Sequence, residues 1–134
     1  MKNKQLPTPK RSGFSIVQIL IGLVIMGIMS FMIVSNIPAI KRKSEDSSMR
    51  GKAHQLNTAI SNYMSDHSVR AAIIGWRDKQ PEERYALIRK YLGYAPENLS
   101  EYIVEGYTVE FPSDPRSQEG VKIYTPEKEL LQYR

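Results

Sequence analysis

Residues 14–37 read FSIVQILIGLVIMGIMSFMIVSNI, 24 consecutive positions without a charge, most of them Ile, Val, Leu, Met or Phe. As an α-helix such a run spans roughly 36 Å, against roughly 30 Å for the hydrocarbon core of a bilayer. Lys10 and Arg11 stand just before it and Lys41-Arg42-Lys43 just after it. In a chain of 134 residues, everything else must be arranged around this one long apolar helix.

Upstream, residues 1–13 read MKNKQLPTPKRSG, polar and basic, with Pro7 and Pro9 opposing helix. Their charge decides how the formal +5 is to be understood. Lys2, Lys4, Lys10 and Arg11 lie in this segment; without it fifteen basic and fourteen acidic residues remain, a net charge of +1. The basic balance belongs to the N-terminal segment, which argues against a nucleic-acid-binding face on the rest of the chain. The absence of cysteine excludes a disulfide framework and thiolate metal sites. The residues after Ile40 suffice for a small head with a modest core.

Three readings compete for the apolar run. A secretory signal peptide has a shorter apolar region and a small-residue cleavage site, which Ile37-Pro38-Ala39 matches poorly. A single-pass anchor fits the length, although Lys and Arg at both ends leave its orientation open. The third reading comes from the junction. Arg11-Ser12-Gly13-Phe14-Ser15-Ile16-Val17-Gln18-Ile19-Leu20 resembles the class III signal of type IV prepilins and type II secretion pseudopilins: a short basic leader ending in Gly, then Phe, then an uninterrupted apolar helix. Gly27 falls where helices of that family often carry Gly.

The resemblance implies cleavage between Gly13 and Phe14 by a prepilin peptidase and N-methylation of Phe14. It also implies single-pass insertion in the bacterial inner membrane with the head on the periplasmic side. Filament assembly with other pilin-like subunits would follow, on a secretion or pilus assembly platform. One position departs from the pattern, because the fifth residue after the cut is usually Glu and here is Gln18. A carboxylate in hydrocarbon is costly unless paired, and in the family it is thought to pair with the N-terminal amine of a neighbouring subunit. Gln accepts a hydrogen bond from that amine without neutralising it. Either Gln18 weakens recruitment or marks a subunit that initiates or caps a filament, or its carbonyl serves adequately.

Gly22 and Gly27 are five apart, so no small-xxx-small dimer motif is present. Gly27 and Pro38 are points of helix softening, Pro38 because it lacks an amide donor and crowds the carbonyl four residues back. Over residues 41–68, Met49, Ala53, Leu56, Ile60, Tyr63 and Met64 recur at helical spacing, an apolar stripe that predicts an amphipathic continuation ending near Asp66-His67-Ser68. The stripe suits core packing, with a coiled-coil partner as the alternative, and Lys41-Arg42-Lys43 suit lipid head groups.

Residues 69–76 are ambiguous between a helical turn and an irregular connection, and Trp76 is the expected core anchor. Pro81 at a first helical position, Glu82 and Glu83 in the first turn and Gly93 beyond the end predict a helix over 81–92. A short turn follows over 96–102. Alternation at Tyr107, Val109 and Phe111, and again over 121–124, predicts two strands around a polar turn. Pro126 ends the second, leaving 127–134 as a polar tail or final helical turn.

The expected fold is α+β: a long N-terminal helix, transmembrane then amphipathic, packed against a small head with a short helix and an antiparallel two- to three-stranded sheet. The expected division is a leader (1–13), a transmembrane or polymerisation helix (14–40), its amphipathic continuation (41–68) and a globular head (69–134). His54 and His67 have no second ligand at metal spacing, Asp114 is only a faint candidate for a loop cation, and no nucleophile, phosphate-loop or HExxH motif appears. No residue is assigned catalysis, a cofactor or a metal. Beside the pilin-like subunit stand a single-pass membrane-anchored binding domain that does not polymerise and a DNA-uptake pseudopilin, which would need a basic head.

Overall fold

Helix dominates because the sequence offers few interruptions: one element, α1 (Ile16–Asp66), runs for 51 residues with Pro38 inside it. The computed structural model describes residues 3–5, 13 and 15–133. The chain divides within α1 into two compact units, Met1–Ala39 and Ile40–Arg134. The first, as far as it is described, is helix from Ile16 onward.

In the second unit α1 carries the expected stripe: Met49, Ala53, Leu56, Ile60 and Tyr63 are buried and Met64 is half-buried. Ala59 joins them. Their spacing of three and four places them on one helical face, and full burial of a side chain such as Met49 or Leu56 stabilises by about 1.5–3 kcal/mol relative to exposure.

The expected end of α1 holds, and the ambiguous segment after it is helical. Ser68 caps α2 (Val69–Trp76) with its hydroxyl accepting the Ala71 N–H at 3.3 Å. Trp76 is fully buried and donates its indole N–H to the Pro112 carbonyl at 2.7 Å, with Phe111 against it edge to face. Pro81 opens α3 (Pro81–Ile88), where the Gln80 N–H donates to the Glu83 carboxylate at 2.8 Å. The predicted helix over 81–92 is shorter as an α-helix, because its last turn tightens into a 3-10 turn, Arg89–Tyr91. Asn98 precedes α4 (Leu99–Tyr102).

Strands β1 (Thr108–Glu110) and β2 (Lys122–Tyr124) pair antiparallel with Val109 opposite Ile123. Tyr107, Val109, Phe111, Val121 and Ile123 point inward and are buried. Two short strands alone are marginal, and here they share one core cluster with α1 and the three smaller helices. Asn57 on α1 ties the layers: its Oδ1 accepts the Val121 N–H at 2.8 Å and its Nδ2 donates to the Tyr133 hydroxyl at 3.0 Å. Gly120 has φ +71°, and a Cβ there would stand 2.9 Å from the Asn57 Oδ1, so both conformation and close approach require glycine.

The C-terminal segment corrects the expectation of a polar tail or helical turn. After a turn in which the Lys128 N–H bonds the Thr125 carbonyl, Leu130 bridges antiparallel to Tyr124, and the Leu131 N–H donates to the Ile123 carbonyl at 2.8 Å. Leu131 is buried, and the Tyr133 hydroxyl donates to the Val121 carbonyl. Pro126 follows the end of β2 as expected, but the apolar Leu131 and Tyr133 bring the chain back alongside β2, joined to it by an isolated bridge outside the two-stranded sheet.

Candidate functional site

The residues singled out by sequence cluster at the start of α1. Gly13 is non-helical and exposed, and a Cβ on it would meet nothing within 4 Å. Phe14, the predicted site of cleavage and methylation, lies outside the described residues, as does most of the predicted leader. Ser15 immediately precedes the helix, which makes Gln18 its third residue. The Ser15 hydroxyl accepts the Gln18 N–H at 3.3 Å, and the Gln18 Oε1 accepts the Ser15 N–H at 3.2 Å. This reciprocal pair satisfies two donors that a helix start otherwise leaves unpaired. The Ser-x-x-Gln spacing was the signal for it, and the sequence reading passed it over.

Beyond this cap the helix presents apolar side chains on every side. Ile16 is 77% exposed, Phe31 76% and Ile25 51%, three members of a series of exposed large apolar side chains that runs to Ile40 among the described residues. A helix apolar all round buries itself in a larger core or a membrane, and this one has no such cover among the described residues of its unit. Added Cβ atoms at Gly22 and Gly27 would meet nothing within 4 Å, so packing among the described residues gives no reason for either glycine. Near the end of the apolar stretch the Asn36 amide donates to the Met32 carbonyl at 2.9 Å, a side-chain bond that competes with the backbone ladder just ahead of Pro38. Among the described residues no single helix is long and apolar enough to cross a membrane; Ile16–Met32 and Asn36–Asp66 meet that length and composition only as a pair.

The basic cluster after the apolar run is partly spent within the second unit. Lys41 lies 3.8 Å from the Glu45 carboxylate, and Arg42 pairs with Glu127. An open groove of about 810 Å³ lies beside Lys52, Gln55, Tyr94 and Tyr102. The Lys52 ammonium is committed there, donating to the Tyr102 carbonyl at 2.5 Å and lying over its ring. Burial pushes the Tyr102 phenol up to about 12, and it donates to Gln55 at 2.7 Å. The groove therefore holds Lys52 and Tyr102 in structural contacts.

His54 contacts the Tyr133 carbonyl at 3.1 Å and His67 the Tyr63 carbonyl at 2.9 Å, each against a tyrosine ring. Asp114 is occupied by its own neighbour: the Arg116 guanidinium makes three bonds to its two carboxylate oxygens, at 2.7 to 3.2 Å, and the Arg116 backbone N–H adds a fourth at 2.8 Å. Those bonds hold the carboxyl down at about 2. The position weighed for a loop cation thus carries an internal cation. Among the described residues no group of three or more His, Cys, Asp and Glu side chains could hold a metal ion. No family model matches the chain, and neither a curated protein nor a solved structure shows significant similarity to it.

Proposed function

We propose that the chain is a pilin-like subunit, a pseudopilin of a type II secretion or type IV pilus filament, cut between Gly13 and Phe14 and N-methylated at Phe14. The observation that carries this reading is the first part of α1: a helix that begins two residues beyond the junction and stays apolar on all sides. Such a surface needs two successive environments. In the bacterial inner membrane lipid covers it, with the head on the extracytoplasmic side, and in a filament the same side chains pack against the helices of other subunits. Residues 14–40 are then both membrane anchor and polymerisation element, and the unit after them supplies the outward contacts.

The partners are other pilin-like subunits, the prepilin peptidase and a secretion or pilus assembly platform. The role is structural, with no reaction assigned to any residue. The near-neutral balance of the chain after residue 13 speaks against a DNA-uptake subunit.

Intact mass and N-terminal sequencing of the chain from a bacterium with a prepilin peptidase test the proposal. A mature chain starting at N-methylated Phe14 is the expected result. A chain that keeps Met1 in that host sinks it and leaves the single-pass membrane-anchored binding domain.

A further inference from the structure

We propose that Ser15 and Gln18 work as one capping unit that positions the first turn of α1, so that Gln18 acts first on its own chain rather than across a subunit contact. The inference rests on the pilin-like reading for its functional consequence, although its geometry stands without it.

The first N–H groups of any helix lack intrahelical partners. In water solvent satisfies them, but in hydrocarbon or between packed apolar helices an unpaired amide is expensive. The first turn of α1 contains no acidic residue, so no carboxylate serves these donors. Ser15 and Gln18 do so instead, each side chain accepting the other's backbone N–H, at 3.3 and 3.2 Å. The amide assignment of Gln18 is fixed by chemistry, because only its oxygen can accept from the Ser15 N–H.

A Glu at position 18 would make the same two bonds and bring a charge into the apolar environment. Gln retains the cap and leaves out the charge. The departure from the family pattern at this position therefore preserves one role of the side chain, the local one, and removes another, the neutralisation of a neighbouring amine. Ser15, to which the sequence reading gave no role, becomes an equal partner.

The test compares the full-length chain with Ser15→Ala, Gln18→Ala, the double variant, Ser15→Thr and Gln18→Glu. Two measurements are made: the share of subunit recovered in sheared filaments from a host with prepilin peptidase and a filament machine, and amide exchange at residues 15 and 18 in dodecyl maltoside micelles. A capping unit predicts equal losses of recovery in both alanine variants and no further loss in the double. It also predicts exchange about fivefold faster in all three, with slow exchange kept in Ser15→Thr and Gln18→Glu. Wild-type behaviour of Ser15→Ala beside poor recovery of Gln18→Ala overturns the proposal, as does a double variant whose loss is the product of the single losses. If the wild-type chain is neither cut nor assembled, the pilin-like reading fails. Exchange then decides the cap alone, and unchanged rates in the alanine variants overturn it.

Discussion

The two parts of α1 are made of similar residues and meet different fates. From Ile16 to Ile40 the described large apolar side chains are exposed, whereas from Met49 to Tyr63 the apolar stripe is buried. Hydrophobicity does not separate them, since the first part is the more apolar. Coverage does: the second part has one apolar face, and the small helices, the sheet and the C-terminal segment supply enough side chains to close over it. The first part is apolar all round and has no cover among the described residues of its unit. The lesson is that a helix can be more hydrophobic than its own unit covers, and in the proposed reading lipid and then other subunits cover the excess.

The contrast is most directly broken in the core. Trp76→Ala should cost about 3–5 kcal/mol, read as a loss of urea midpoint in detergent solution, because it empties a fully buried site and leaves the Pro112 carbonyl only its weaker bond from Arg84. Retained stability would mean that Trp76 does not anchor the second unit. Paired truncations within α1 then sharpen the comparison: Leu56→Ala should cost about 2–5 kcal/mol and Ile25→Ala less than about 0.5. Equal costs would erase the distinction between the two parts.

A smaller effect is expected at the polar tie. Asn57→Ala leaves the Val121 N–H without its acceptor and should cost about 1–3 kcal/mol. Faster exchange of the Val121 amide is the local check, and an unchanged amide would remove Asn57 from its clasping role.

The smallest effect is the pH response of the β1–β2 turn. The Arg116 guanidinium and backbone N–H hold Asp114 at about 2, below its ordinary carboxylate range. Because the folded value is the lower one, the contribution is complete above about pH 4 and is lost as pH falls toward 2. NMR titration of Arg116→Ala should show the Asp114 carboxyl returning upward to about the ordinary 3.9. An unmoved titration would mean that Arg116 is not its partner. The surface position of the pair makes any stability change slight.

How legible each element was depended on how local its cause is. The stripe from Met49 to Tyr63, Pro81 at the start of α3 and the alternation around Val109 and Ile123 are patterns within a few residues, and the structure follows them. The α2 helix was ambiguous because its eight residues, apolar or small except for Arg70, fit a turn or a loop equally, and the Ser68 cap and the burial of Trp76 settle it. The tail was misread because its cause lies far away: Leu131 finds Ile123, and Tyr133 finds Val121 and Asn57, across the whole head. At the candidate site the position of Gln18 was legible and its bond to Ser15 was missed, although the spacing carried it.

What the sequence by itself determined is the long apolar run and its basic flanks, since charge and hydropathy are properties of residues in order. Only the tertiary structure decided which apolar residues are covered, that the C-terminal segment returns to bridge β2, and that Asp114 is held by Arg116. Those outcomes depend on which distant or oppositely charged groups the folded backbone brings within bonding distance, and no local pattern records that.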